Sequence, residues 1–252
     1  MHYWLVVPAA GAGRRYGAHV PKQHQRFAGQ TILESALQPF LADARCLGGA
    51  LVLAVRDSQR ALLRQRLPSS FTIVDGGAER AHSVLHGLEA LTLAEADDWV
   101  LVHDGARPAL SIADLQRLLD AAGAHAVGGL LAVPIADTVK QADAHLACTA
   151  TVARASLWLA QTPQMFRYAP LKRALTAAIA AGRMPTDEAQ AMEWQGAQPL
   201  LVQARDGNPK ITTAADLVVA EALLRARAQS LPVAEAARAV GADVRSAHGE
   251  TR

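Results

Sequence analysis

Short apolar runs alternate along the chain with longer segments in which apolar residues recur every three or four positions. The runs are "YWLVV" (3–7), "ALVLAV" (50–55), "FTIVD" (71–75), "WVLVHD" (99–104), "GGLLAV" (128–133) and "PLLVQA" (199–204). Their length and β-branched content predict strands buried on both faces. Between them, "TILESALQPFLA", "SQRALLRQRL", "AHSVLHGLEAL" and "IADLQRLLDAAG" carry the stripe of amphipathic helices. Thr31 before Ile32, with Glu34 three residues on, reads as a capping box. The alternation predicts an α/β fold: one domain over residues 1–230, with a mostly parallel twisted sheet covered by helices. Ligands in such sheets sit at the carboxyl ends of the strands, so the residues that follow each run are the ones to inspect.

One segment breaks the rhythm. Residues 137–158, "DTVKQADAHLACTATVARASLW", are rich in Thr and Val, carry a turn signal at Ala142-Asp143-Ala144 and lack a helical stripe. They predict an inserted β-hairpin arm at about 136–158. An isolated hairpin is marginal in water, so either its own domain or a partner subunit must cover it. The tail, 231–252, opens with Leu231-Pro232 and ends polar, which predicts one short helix and partial disorder.

Composition narrows the class. Of 252 residues, 51% are hydrophobic and 19% charged, a globular balance, and the net charge of +2 argues against nucleic-acid binding. Cys46 and Cys148 are isolated, which predicts reduced and mostly buried thiols and neither a disulfide framework nor a zinc site. The apolar run at the N-terminus has no basic region before it and is too short for a signal peptide. The longest apolar stretch, 121–136, is broken by His125, Gly128, Gly129 and Pro134. The expectation is a cytoplasmic protein with no membrane span.

The first strand runs into "PAAGAGRRYGAHVPKQ" (8–23), which suggests a phosphate site. Gly11, Gly13 and Gly17 have the third glycine one residue late for a dinucleotide fingerprint, and the acidic ribose partner is missing. Lys22 follows Pro21 rather than a glycine, and Gln23 stands where a P-loop has a hydroxyl. What remains is a small-residue loop whose amides can approach a triphosphate, followed by Arg14, Arg15 and Lys22.

That loop resembles the Gly-x-Gly-x-Arg…Pro-Lys-Gln signature of nucleotidyltransferases with a modified Rossmann-like fold. The further stretches "DGGAERAHSV" (75–84), "VHDGARP" (102–108), "DT" (137–138), "TPQMF" (162–166), "TDEA" (186–189) and "GNPKIT" (207–212) occur in order. Together they resemble the 2-C-methyl-D-erythritol 4-phosphate cytidylyltransferase family over about residues 3–228. The resemblance implies transfer of a cytidylyl group from CTP to 2-C-methyl-D-erythritol 4-phosphate, with release of pyrophosphate, in non-mevalonate isoprenoid synthesis. It implies Arg15 and Lys22 as transition-state stabilisers. Ala9, Ala10, Gly11 and Gly13 would line the triphosphate and nucleotide, and Gly76, Gly77 and Ser83 the base. Ala78 stands where the family often has an acidic residue.

Asp104 would bind the second substrate or sit near magnesium, and Arg107 would accompany it or form a helix-entry ion pair. Arg154 and Lys210 would position the second substrate, with Thr138 beside them. Lys210 follows Pro209, where the family commonly has a larger apolar residue. Thr162 and Thr186 match hydroxyl positions that could equally cap helices. The family's arm is swapped within a homodimer, so Thr138 and Arg154 would come from the partner. Magnesium is implied by the triphosphate, which carries it with few protein ligands.

The implied nucleophile is a phosphate already largely dianionic near neutral pH, so no general base is needed and His103 is expected to be structural. Two alternatives share the loop: a cytidylyltransferase for another polyol phosphate such as ribitol 5-phosphate, and a nucleotide-binding regulatory protein without catalysis.

Overall fold

Strand β1 (Tyr3–Pro8) sets the layers, because its side chains alternate strictly. Tyr3, Leu5 and Val7 enter one apolar core and Val6 the core on the opposite face. The computed structural model describes residues 1–11 and 21–230. Gly13, Arg14, Arg15 and Gly17 of the phosphate loop lie outside the described residues, as does the predicted tail 231–252.

After β1, a short 3₁₀ turn (Lys22–His24) leads through the small strands β2 (Arg26–Phe27) and β3 (Gln30–Thr31) into helix α1 (Ile32–Leu41). Then follow β4 (Cys46–Leu53), α2 (Arg60–Arg66), β5 (Phe71–Asp75), α3 (Arg80–Glu89), β6 (Trp99–Val102), α4 (Ile112–Gly123) and β7 (Gly128–Pro134). The hairpin β8 (Val139–Ala142) and β9 (Cys148–Val152) comes next. The described chain ends with β10 (Trp158–Arg167), α5 (Tyr168–Ala180), α6 (Glu188–Glu193), β11 (Leu200–Gln203) and α7 (Ala214–Ser230).

Seven strands form the central sheet in the order β11-β7-β10-β6-β1-β4-β5. All neighbours are parallel except β10, which runs antiparallel to both β6 and β7. One face is covered by α1 through Leu33, Leu37 and Phe40, and by α4 through Leu115, Leu118 and Leu119. The other face is covered by Val84 and Leu88 of α3, Leu171 and Leu175 of α5, and Met192 of α6. Each fully buried Leu, Val or Phe in these layers stabilises the fold by about 1.5–3 kcal/mol. The capping box is present: Thr31 Oγ1 accepts from the Glu34 amide at 3.1 Å, and Glu34 accepts from the Thr31 amide at 2.8 Å.

The sequence pattern did not foresee β10, α5, α6 or α7. Residues 158–167 carry Gln161, Pro163 and Gln164, which interrupt apolar alternation. The register against β7 accordingly shifts between Ala160 and Gln164. The arm itself forms as expected, with its turn one step later. Asp143 Oδ1 accepts the amides of His145 and Ala147, both at 2.9 Å, and residues 140–151 are all exposed. Within one chain, therefore, the arm is not covered by its own domain, and Cys148 at the start of β9 is exposed rather than buried as expected, while Cys46 is half-buried.

Candidate active site

The carboxyl ends of β1, β5 and β6 open on a cleft of about 620 Å³. The chain passes from β1 outward to β4 and β5 on one side, then returns to place β6 on the other side of β1. That reversal parts the loops and makes the crevice. Ala9, Ala10 and Gly11 line it from the end of β1, Gly77, Ala78 and Glu79 from the turn after β5, Arg80 and Ser83 from α3, and Asp104, Gly105 and Ala106 from the end of β6. Lys22 and Lys210 reach it from two further loops.

Local chemistry fixes each wall. Pro21 sets φ at −52° and turns Lys22 inward on the 3₁₀ turn. Buried Gln23 donates to the Ala9 carbonyl at 3.0 Å, tying that turn to the strand end. His24 Nε2 meets Asp57 Oδ2 at 2.8 Å and pins the turn from behind. Lys22 Nζ donates to the Ile211 carbonyl at 3.0 Å, so the lysine bridges the first loop and the loop that carries Lys210. On the opposite wall, Gly76 packs so tightly that a Cβ would lie 2.3 Å from the Ala10 Cβ. The Gly77 amide donates to Ser83 Oγ at 3.0 Å, and Ser83 Oγ donates to the Glu79 carbonyl at 3.2 Å. These bonds hold backbone groups at the cleft, where a flat base edge can approach.

The floor is a charge cluster centred on Asp104. Lys210 Nζ lies 2.8 Å from Asp104 Oδ2, Arg80 Nε 3.1 Å from Oδ1, and Arg107 Nε 3.7 Å from Oδ2. Burial alone would raise the Asp104 carboxyl, but Arg80 and Lys210, with Arg107, outweigh it and hold the group well below the usual carboxylate range. Arg80 also makes a two-pronged pair with Glu188, at 2.7 and 3.1 Å. Glu188 has no exposed surface. Burial pushes its carboxyl upward and the guanidinium opposes the shift.

His103 is fully buried, and both its nitrogens are engaged. Nε2 faces the Arg107 carbonyl at 3.1 Å and must carry the proton, since a carbonyl only accepts. Nδ1 then accepts from the Thr162 hydroxyl at 3.1 Å, and the same oxygen accepts the Asp104 amide at 3.0 Å. Burial lowers the imidazole to about 4. The chain Asp104–Thr162–His103–Arg107 thus fixes the backbone beneath the carboxylate, and His103 is structural, as expected.

The expected site residues divide in three. Lys22, Ala9, Ala10, Gly11, Gly77, Ser83, Asp104 and Lys210 line the cleft, with Gly76 directly behind Ala10. Arg107 lies beneath it, donating to the carbonyls of Asn208 at 2.8 Å and Ala160 at 3.4 Å. Thr138 and Arg154 are exposed at the two ends of the arm and do not line this chain's cleft. Thr186 is exposed, and it is Asp187 that caps α6 by accepting from the Gln190 amide.

Sequence reasoning missed Arg80 and Glu188. Both sit inside the quoted stretches "DGGAERAHSV" and "TDEA". Nothing in the sequence shows that they pair across 108 positions. A crevice with amides, small residues and converging cations fits a polyphosphate ligand.

Similar proteins agree with that chemistry. Residues 3–226 match the family described as IspD: 2-C-methyl-D-erythritol 4-phosphate cytidylyltransferase. The enzyme of that name from Ectopseudomonas mendocina (strain ymp) is 49% identical over 217 residues, covering 85% of this chain and 92% of that protein. A crystal structure of a 4-diphosphocytidyl-2C-methyl-D-erythritol synthase superposes with a TM-score of 0.77 at 36% identity, covering 88% of this chain and 98% of the other. The 2-C-methyl-D-erythritol 4-phosphate cytidylyltransferase of Francisella tularensis gives a TM-score of 0.75 at 31% identity, covering 88% of this chain and 100% of the other. With nearly its whole described length matched, the chain belongs to the 2-C-methyl-D-erythritol 4-phosphate cytidylyltransferase family.

Proposed function

We propose that this cleft transfers a cytidylyl group from CTP to 2-C-methyl-D-erythritol 4-phosphate in the cytoplasm, with residues 1–230 as the catalytic domain. The observation that carries the reading is the convergence of Lys22, Arg80 and Lys210 on a small-residue crevice around Asp104. An oxygen of the polyol's phosphate attacks the α-phosphorus of CTP. A new P–O–P bridge forms, the α–β bridge breaks, and pyrophosphate leaves with its electron pair. The attacking phosphomonoester, with a second pKa of about 6, is mostly dianionic at neutral pH and needs no base. The obstacle is repulsion between anions, and the protein's task is positioning and charge neutralisation.

Lys22, together with Arg15, neutralises charge gathering at the α-phosphate. Ala9, Ala10, Gly11 and Gly13 cradle the triphosphate, and Gly76, Gly77 and Ser83 present backbone groups to the cytosine. Lys210 holds the polyol phosphate, with Asp104 orienting the lysine. Thr138 and Arg154 complete the second-substrate pocket from a partner's arm in a homodimer. The exposure of residues 140–151 supports this, since a hairpin so bare needs a cover. Asp104 is the carboxylate at the floor of the lined cleft, with Glu79 at its wall, and both its oxygens already meet cations. Magnesium carried on the triphosphate would take most of its ligands from phosphate oxygens and water and would neutralise phosphate charge, with Asp104 or Glu79 as the lining carboxylate that could reach it.

The test is pyrophosphate release with magnesium, crossing four nucleoside triphosphates with methylerythritol, ribitol and hexose phosphates. CTP with methylerythritol phosphate should be strongly preferred, and a preference for ribitol phosphate would overturn the substrate assignment. Lys22→Ala and Arg15→Ala should each lower kcat by on the order of 10²–10³ with the fold intact.

A further inference from the structure

The loop that carries Lys210 has no regular secondary structure between β11 and α7, yet side chains from other elements hold its carbonyls one after another. Arg107 holds the carbonyl of Asn208, and Lys22 that of Ile211. The two before them, Asp206 and Gly207, accept from Arg227 in the last turns of α7, Gly207 at 2.7 Å. The same guanidinium donates to the Ala109 carbonyl at 2.7 Å, just beyond Arg107. Around Arg227, Leu223 of α7 packs on Gly207, whose φ of +75° gives the loop its bend. Asp206 is fixed from the other side, where its carboxylate accepts from the Ser111 hydroxyl and its amide donates to Asp114 at 3.1 Å.

We infer that Arg227 is a positioning residue for Lys210. Its planar fork spans three carbonyls from two segments that flank the Asp104–Lys210 pair: 206–207 before Lys210, and 109 after Asp104. Ile211 closes the frame on the far side, its amide donating to the Ala106 carbonyl at 2.8 Å. Without the guanidinium, the carbonyls of Asp206, Gly207 and Ala109 lose a charged donor. Asp206 keeps Ser111 and Asp114 and Asn208 keeps Arg107, so it is the bend at Gly207 that loosens, and the ammonium three residues beyond it loses its fixed approach to Asp104 Oδ2. α7 thereby acts on the site although it does not line the cleft.

The inference rests on the reading that Lys210 engages the second substrate, and the experiment separates the two. KM for each substrate and kcat are measured by pyrophosphate release for Lys210→Gln, Arg227→Ala and Arg227→Lys in the full chain, with thermal melts alongside. Lys210→Gln should raise KM for the polyol phosphate. Arg227→Ala should raise that same KM about tenfold, as expected for lost charge-assisted hydrogen bonds, with KM for CTP within about twofold of wild type. Arg227→Lys should recover part of the loss, because an ammonium still donates to two carbonyls. An unchanged KM in Lys210→Gln overturns both readings. A normal Lys210→Gln defect beside a wild-type KM in Arg227→Ala overturns the inference alone. Equal loss for both substrates also overturns it, since that marks general loosening. If Arg227→Ala does not fold, Arg227→Lys decides: a KM change confined to the polyol phosphate supports positioning, and none refutes it.

Discussion

Replacing Arg80 by methionine should separate stability from catalysis. Glu188 has no exposed surface, and Arg80 is its ion-pair partner among the described residues. The substitution strands that carboxylate, while Asp104 keeps Lys210 at 2.8 Å and Arg107 at 3.7 Å. Breaking a buried pair from one side costs about 3–5 kcal/mol at neutral pH. At roughly 2–4 °C per kcal/mol for a domain of this size, the melting temperature should fall by about 6–20 °C. Stranded Glu188 escapes part of the penalty by taking a proton. Its folded pKa then lies above the unfolded value, so the deficit of Arg80→Met shrinks as pH falls from 7 toward 5. Adding Glu188→Met replaces the ion pair with apolar contact and should return the melting temperature to within a few degrees of wild type, because such exchanges are often neutral. Activity should not return, since Arg80 lines the cleft and anchors Asp104. The assays are calorimetric melts at pH 7 and 5 and pyrophosphate release. An unshifted single variant, or a double variant as labile as the single, would refute the reasoning.

Three further outcomes are expected. His103 titrates at about 4 against an ordinary 6.5, so the unfolded chain binds the extra proton as pH falls and native stability drops. His103 alone should account for a loss of about 2 kcal/mol between pH 7.5 and 5, against which Glu188, whose carboxyl burial raises, works in the opposite sense. Urea melts of wild type and His103→Asn should therefore differ in slope over that window, and identical slopes contradict the buried neutral imidazole. Gly76→Ala puts a methyl 2.3 Å from the Ala10 Cβ and should raise KM for CTP about tenfold or more. Ala10→Gly in the same chain should restore it, and failure of that rescue would show that the clash is elsewhere. Mixing Lys22→Ala and Arg154→Ala subunits should regain about a quarter of wild-type activity, because random pairing makes half the dimers mixed, each with one intact site. No recovery after verified subunit exchange would rule out the shared site.

The sheet was legible in the sequence wherever its strands are buried on both faces. Tyr3–Val7 and Trp99–Val102 run apolar between polar breaks, and both are strands at those places. β10 was not legible, because Gln161, Pro163 and Gln164 sit in its middle and break the apolar alternation. Gln164 spends its amide on Asp187 and on the Ala189 backbone, and Thr162 supports Asp104. α7 was hidden for another reason. Leu217, Val218, Val219, Ala220, Leu223 and Leu224 surround the helix and leave no single stripe. Position marked the strand ends for inspection, and the resemblance then singled out Asp104 and the glycines after β5, which the structure places at or directly behind the cleft. Arg107 was legible as a site residue but not in its place, since its hydrogen bonds to Asn208 and Ala160 depend on loops far along the chain.

The bond between Lys22 and the Ile211 carbonyl also governs when a cleft can exist. The two residues are 189 positions apart, and Arg227 reaches 118 positions back to Ala109. At about 5–20 residues per second, roughly 10–40 s of synthesis separate the appearance of Lys22 from that of its partner. During that interval, β1 and its glycine loop exist without the wall that completes them. A nascent chain therefore carries β1 and the small residues at its end from the start, yet completes the cleft only when nearly all of the described residues have been made.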